Sequence, residues 1–166
     1  ASGGVGTGID DSKLGWAIGG GVTVNLPMLG ASDAISLQAV YSKGAAAYVS
    51  PNWSDFTPVY DFWVGGGSIH QTVAWGVAGG LTHGWTKTLT SNLNASYAAF
   101  DSADTAVDDF KQIDLQANLV WAPVSGLSIG AEVDYRKIDL SSAAQAKYRT
   151  GDADALVGMI RIQRDF

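Results

Sequence analysis

The chain has 166 residues, of which 46% are hydrophobic and 16% are charged, and its formal net charge is −6. This composition is typical of one compact domain over residues 1–166 and argues against a disordered tail. The sequence has no cysteine, which excludes disulfides and thiolate metal sites, and its negative charge, with no basic cluster longer than Arg136-Lys137, argues against a nucleic-acid partner.

The first alternating segment runs from Trp16 to Leu26, where apolar side chains such as Ile18 and Val22 alternate with small or polar ones. This period of two indicates a β-strand with one apolar and one polar face. Six further segments follow the same pattern, and no segment predicts a helix. In chain order, the predicted strands cover residues 16–26, 35–41, 73–81, 89–99, 113–121, 127–135 and 156–162.

The charged residues of these strands all lie on one face. None of the positions on the apolar faces is Asp, Glu, Lys or Arg, whereas the opposite faces are rich in Ser, Thr, Asn, Gln and Gly. No window approaches eighteen consecutive apolar residues, which excludes a transmembrane helix. A β-barrel is not excluded, because alternating lipid-facing and lumen-facing residues give its strands an intermediate mean hydropathy. A charge at the bilayer midplane costs about 2–4 kcal/mol, which explains an uncharged face that meets lipid. The charged positions on the polar faces, which we expect to line a pore, are Asp114, Glu132, Asp134, Arg136 and Arg161.

The connections between the predicted strands alternate in length. The short ones cover residues 27–33, 82–88 and 122–126, and the long ones 43–68, 101–110 and 139–154. Outer-membrane barrels have short periplasmic turns and long extracellular loops. The alternating faces and connection lengths therefore predict an all-β, antiparallel transmembrane β-barrel whose last strand runs towards the periplasm.

Tyr and Trp favour membrane interfaces, where the ring is apolar and its polar edge stays wet. In the predicted topology, two aromatic girdles emerge, and Trp75 fits neither because it lies nearer the middle of its strand. The extracellular girdle contains Trp16, Tyr41, Tyr97 and Tyr135, and the periplasmic girdle contains Trp121, Phe166 and Trp85.

Seven strands cannot stand alone in a membrane, because an open sheet leaves two edges of unpaired backbone groups in hydrocarbon. The chain has about 24 residues per predicted strand, so a sixteen-stranded porin would need about 380 residues. We therefore expect the chain to be the C-terminal portion of a larger barrel.

Four segments resemble the general porins of alphaproteobacteria, of the Brucella and rhizobial type: "GWAIGGGVTVNLP", "WGVAGGLTHGWTKTLTSNLNASYAAF", "VWAPVSGLSIGAEVDYRKID" and the ending "IRIQRDF". The resemblance covers nearly the whole chain. It implies a homotrimeric, sixteen-stranded outer-membrane channel for small hydrophilic solutes, narrowed by a loop from the N-terminal half. Its partners would be the lipid bilayer and lipopolysaccharide of a Gram-negative bacterium, and it would need no cofactor.

The resemblance also implies that basic wall residues face acidic residues of the narrowing loop, so Arg136 and Arg161 are the candidates for charge selectivity. Counting from the periplasmic end places Arg161 level with Glu132, and Asp114 level with Asp134. These heights predict an ion pair between Arg161 and Glu132. The alternative is that the charges only keep the lumen wet and hold the strand register.

Other classes of protein fit less well. His70 and His83 would lie about 40 Å apart on one strand, at about 3.3 Å per residue, so no histidine-based active site is expected and the chain is not predicted to be an enzyme. A small structural or adhesive barrel with little conductance is the alternative function, and a soluble ligand-binding barrel would put its apolar face inside. The loop carboxylates lack the order of a calcium loop, so we expect no metal site: Asp101, Asp104, Asp108, Asp109, Asp152 and Asp154.

Overall fold

The computed structural model describes residues 12–30, 32–49, 59–103 and 109–165. Seven of its strands form one antiparallel sheet in which each strand pairs with the next, in the order β1-β2-β5-β6-β7-β8-β9. The strands are β1 (Trp16–Asn25), β2 (Ala34–Lys43), β3 (Phe62–Gly65), β4 (Ser68–Gln71), β5 (Val73–Gly84), β6 (Leu89–Asp101), β7 (Phe110–Val124), β8 (Leu127–Leu140) and β9 (Ala153–Arg164). The predicted antiparallel meander of seven strands is confirmed, and within the described ranges β1 and β9 are its open edges.

The register keeps the apolar faces of the seven strands on the same side of the sheet. One row runs across the strands from Val22 through Leu37, Gly79 and Ala95 to Leu115. Because the side-chain period is two, a slip of one residue would turn all of these positions to the polar side. No described residue covers the apolar face, and Ile160 on β9 is 79% exposed. An uncovered face of this composition is suited to hydrocarbon rather than water.

We call the end of the strands that carries the long connections the loop end, and the opposite end of the strands the turn end. At the loop end, the sequence analysis missed two elements. β3 and β4 form a separate hairpin whose turn residues Gly66 and Gly67 both have positive φ, as this type of tight turn requires. The helix α1 (Ser142–Tyr148) lies between β8 and β9. Its seven residues are too few for a helical period to stand out, so the prediction of no helix was wrong.

The helix α1 begins at Ser141, whose hydroxyl accepts a hydrogen bond from the Ala144 amide at 3.1 Å. A side-chain oxygen at this position satisfies one of the free amides of the first helical turn. No helix in the described part of the chain is long and apolar enough to span a membrane.

The buried core lies on the polar side of the sheet, at the loop end. Phe100 and Phe110 stack there with ring centroids 4.6 Å apart, and each is 3% exposed. The sequence analysis missed this core, because both rings lie outside the predicted strands 89–99 and 113–121. α1 and a 3₁₀ turn, Ala46–Tyr48, fold over this end of the face and exclude water. The core consists of Ala46, Ala74, Ala98, Phe100, Phe110, Leu140 and Ala144.

Hydrogen bonds join the long connections to one another above this core. Within the connection from β2 to β5, the Ala46 amide donates to Asp61 Oδ1 at 2.7 Å, and between two other connections the Ser141 amide donates to the Asp109 carbonyl at 2.9 Å. The Ala103 amide donates to Thr72 Oγ1 at 3.0 Å, and Thr72 is 1% exposed. The described parts of the connections therefore form one packed layer over the loop end.

Candidate functional site

The polar face below the core carries rows of amide and hydroxyl side chains that follow the strand register. In one row, Thr82 Oγ1 donates to Asn92 Oδ1 at 2.8 Å, and Asn92 Nδ2 donates to Asn118 Oδ1 at 2.8 Å. Asn118 Nδ2 then contacts Glu132 Oε2 at 3.5 Å. These four residues lie opposite one another on β5, β6, β7 and β8. The row forms a wettable surface that also holds the register.

Two rows nearer the loop end, Asp114 is the centre of a charged cluster. Arg136 Nε donates to Asp114 Oδ1 at 2.5 Å, directly across the β7–β8 pairing. Gln112 Nε2 donates to Asp114 Oδ2 at 2.6 Å, and Ser96 Oγ contacts the same oxygen at 3.5 Å. Both members of the ion pair are partly exposed, at 27% for Arg136 and 23% for Asp114. The pair therefore borders the open part of the face.

The predicted ion pair between Arg161 and Glu132 is absent from the described residues. Glu132 faces Met159 across the β8–β9 pairing, and Arg161 donates through Nη2 to Gln163 at 2.6 Å. The prediction took the strand ends to be level, but pairing begins at Leu127 with Arg164. Arg161 therefore lies two residues closer to the turn end than Glu132.

The predicted level of Asp114 with Asp134 is also wrong, by one row. The prediction took Trp121 to be level with Leu127, but Val124 pairs with Leu127 and Trp121 pairs with Ile129. Asp114 consequently faces Arg136, and Asp134 faces Gln116. The alternating pattern does not show that the pairing of β7 continues past Trp121 to Val124.

A polar hollow of about 640 Å³ lies over the middle of this face. Its floor is made by small residues, among them Gly21, Ala78 and Gly80, and its polar border includes Asp134 and Arg136. Small side chains at the centre of a curved polar face leave space for water. Of the five predicted pore-lining residues, Asp114, Asp134 and Arg136 border the hollow, whereas Glu132 and Arg161 lie nearer the turn end.

Aromatic rings on the apolar face form a band near the loop end. The Trp16 and Tyr41 rings lie 5.5 Å apart between centroids, and the Trp75 and Tyr97 rings lie 5.3 Å apart. Trp75 therefore belongs to this band, which corrects the prediction that it fits neither girdle. The reason is that β5 begins at Val73, so Trp75 is the third residue of its strand and pairs with Tyr41.

For a membrane surface parallel to this band, the slope of the band along the register gives the tilt of the strands. Paired residues form a row across the sheet that begins at Ile18 on β1 and ends at Asp139 on β8. This row serves as the reference level. Trp16 is two residues above this row and Tyr135 is four residues below it, a descent of six residues over five strand steps. This is about 4 Å per strand spacing of about 4.8 Å, which corresponds to a tilt of about 40°. Transmembrane barrels have tilts of about 35–45°.

Charges on the apolar face of the described strands lie at its two ends. Beyond this band, Lys137 Nζ pairs with Asp139 Oδ1 at 2.5 Å, and Arg164 is the last residue of β9 at the turn end. At the turn end, Trp121 is 48% exposed and Trp85 Nε1 donates to Ser91 Oγ at 3.0 Å. Phe166, the last member of the predicted periplasmic girdle, lies outside the described residues. The described apolar face is thus bounded by aromatic side chains near both ends.

Residues 3–159 match the family model described as the porin subfamily. The chain belongs to this subfamily. Its fold is similar to that in the crystal structure of the outer membrane channel DcaP of Acinetobacter baumannii, with a TM-score of 0.76 and 21% sequence identity. The match covers 95% of this chain and 42% of that one, so this chain spans less than half of that protein's length. No curated protein has significant sequence similarity to the chain.

Membership of the subfamily places this porin in the outer membrane of a Gram-negative bacterium. The loop end therefore corresponds to the extracellular side of a porin barrel and the turn end to the periplasmic side. The localisation and the transmembrane β-barrel fold agree with the sequence analysis.

A segment of this porin folds inward over the polar face, which sequence reasoning missed. A Cβ atom added to Gly76 on β5 would lie 3.1 Å from Val49 Cγ1, so the Val49 side chain covers this glycine. Val49 also borders the polar hollow. The sequence analysis assigned narrowing only to a loop of the N-terminal half, because a hydrophobic residue in a long connection carries no signal of its direction.

A second feature missed by the sequence analysis lies at the periplasmic end. Asp33, in the turn before β2, is 5% exposed, and its Oδ1 accepts a hydrogen bond from the Gly84 amide at 2.9 Å. Its Oδ2 lies 2.8 Å from His83 Nδ1. The hydrogen bonds from Gly84 and His83 lower the pKa of the Asp33 carboxyl below its ordinary value. His70 belongs to the separate strand β4, so the two histidines do not share one strand as predicted.

The described ranges hold no group of three or more His, Asp or Glu side chains placed to share a metal ion. Two of the loop carboxylates satisfy the backbone instead. Asp109 Oδ1 accepts from the Ser102 amide at 2.7 Å, and Asp152 Oδ1 accepts from the Leu140 amide at 3.0 Å. Asp104 and Asp108 lie outside the described residues.

Proposed function

We propose that this chain forms part of the wall of a water-filled channel through which small hydrophilic solutes and ions diffuse passively. One observation carries the proposal: a single sheet has one uncovered apolar face bounded by aromatic rings and one polar face with a hollow floored by small residues. Lipid on the first side and water on the second satisfy both faces. Membership of the porin subfamily favours a channel over an enzyme.

The closed barrel requires strands beyond those of this sheet. At its two edges, β1 and β9 present backbone groups that cannot remain unpaired in hydrocarbon. Seven strands in a chain that matches 42% of a solved channel correspond to about sixteen strands in a complete barrel. We propose that the full-length protein supplies the others and that 1–166 is the C-terminal portion of one barrel domain.

The finer features carried by the sequence resemblance belong to the same proposal. They are a homotrimer, contact with lipopolysaccharide at the extracellular rim, and membership of the Brucella and rhizobial group of porins. The small or structural barrel is the second candidate. A lumen filled by large side chains would favour it, but the residues Gly21, Ala78 and Gly80 leave the centre of the polar face open.

Single-channel recording of the full-length protein in planar bilayers tests this function. Stepwise conductance in threes is expected for a trimer. Ala78→Trp places a large ring over the hollow and should lower the single-channel conductance. Val77→Trp adds the same ring on the adjacent, outward-facing position and should leave conductance unchanged.

Folding of each variant is checked by its heat-modifiable migration on gels. A folded wild-type barrel without conductance would contradict the channel and favour the structural barrel. Equal conductance of the Ala78→Trp and Val77→Trp variants would show that the polar face is not the wall of the pore.

A further inference from the structure

Of the charged side chains on the polar face of β8, some lie next to an opposite charge and others do not. Asp134 and Arg136 are separated by two residues, or about 7 Å along the strand. Arg136 is in contact with Asp114, which also accepts from Gln112. Two opposite charges in contact largely cancel at distances beyond the Debye length of about 8 Å. This ion pair therefore exerts little attraction on an anion passing through the lumen.

Asp134 has no comparable compensation. Its cross-strand neighbours are Gln116 on β7 and Val157 on β9, and neither carries a charge. Its Oδ1 is buried and has no hydrogen-bond partner among the described residues. Asp134 also borders the polar hollow, so its charge lies beside the space that a solute would cross.

The remaining charges of the wall lie closer to the turn end. Glu132 is contacted by the Asn118 amide at 3.5 Å, and Arg161 donates to the neutral Gln163. Arg161 is the diagonal neighbour of Glu132 across the β8–β9 pairing, because Glu132 pairs with Met159. Because Arg161 is nearer to Glu132 than to Asp134, it offsets mainly the negative charge of Glu132 and does not compensate the negative charge of Asp134.

We propose that Asp134 determines the charge selectivity of this part of the wall and makes it favour cations over anions. The inference rests on the proposed channel function. It replaces the expectation that Arg136 and Arg161 set the local field, because Asp114 neutralises the first and the second lies beyond the hollow. Asp134 acts on a permeating ion through space and needs no direct bond to it.

The reversal potential of the full-length protein in a planar bilayer with a KCl gradient tests the proposal. Asp134→Asn should lower the permeability ratio of K⁺ to Cl⁻ about twofold at low salt. The difference should shrink at about 1 M KCl, where the Debye length falls to about 3 Å. The paired variant Asp114→Asn with Arg136→Gln removes both charges of the ion pair and should change the ratio little.

Asp154→Asn is the matched control, because Asp154 pairs in register with Lys137 on the outward face, where the same charge change lies outside the lumen. An unchanged ratio in Asp134→Asn, with normal conductance, would overturn the assignment of Asp134 and leave the channel function intact. A larger change in the Asp114→Asn with Arg136→Gln variant than in Asp134→Asn would also overturn it. Absence of conductance in the wild type would instead contradict the channel function itself.

Discussion

The stacked pair of Phe100 and Phe110 provides a direct test of the packed layer at the loop end. Each ring is 3% exposed, and a phenyl side chain buries about 150 Å² or more. At about 25 cal/mol per Å² this area is worth about 4 kcal/mol. Truncation of either ring to alanine should therefore lower the free energy of unfolding by about 3–5 kcal/mol. Because the rings touch, the double variant should lose about 0.5–1.5 kcal/mol less than the sum of the single losses.

Urea unfolding of the full-length protein in lipid vesicles, followed by tryptophan fluorescence, measures these energies. Phe62→Ala is the control, because Phe62 in β3 is 56% exposed and should lose less than about 1 kcal/mol. Losses in Phe100→Ala and Phe110→Ala as small as in this control would refute the reasoning. They would mean that the rings stand in a water-filled lumen and that the connections do not cover them.

Two further predictions concern the inward segment and the periplasmic turn. Gly76→Ala should lower the free energy of unfolding by about 1–3 kcal/mol, because the new methyl group meets the Val49 side chain at 3.1 Å. Gly130→Ala is the control in the same urea assay and should lower it less, because its methyl group meets no atom closer than 3.8 Å. The lowered pKa of Asp33 should add stability that is fully present above its unfolded value of about 3.9 and is lost as the pH falls through the lower folded pKa. The urea midpoint of Asp33→Asn should thus depend less on pH between about 6 and 3 than that of the wild type, and identical pH profiles would contradict the role of this carboxyl.

The strands and their two faces could be predicted from local pattern. Alternation is a property of neighbouring residues, and a strand places them on opposite sides whatever the rest of the chain does. The sheet order could be predicted too, because short turns force successive strands to pair. The same alternation assigns the charged side chains of Glu132 and Arg161 to the polar face, without any knowledge of contacts between strands.

Which polar residues meet was decided only by tertiary structure. Asp114 pairs with Arg136 because the β7–β8 pairing continues to Val124 and Leu127 and then shifts by one residue before Trp121, and no residue pattern marks either feature. Strand heights counted from sequence carry an error of one row, which is enough to exchange one charged partner for another. The predicted ion pair between Arg161 and Glu132 was wrong for this reason.

The long connections show the same limit. Val49 and the stacked Phe100 and Phe110 come together from segments far apart in the chain, and burial of those rings depends on where the connections fold. The sequence by itself determined a porin-like sheet with a lipid face and a water face, because those follow from a period of two. Only the tertiary structure decided where the water face is covered and which charges are paired, because these depend on contacts between distant residues.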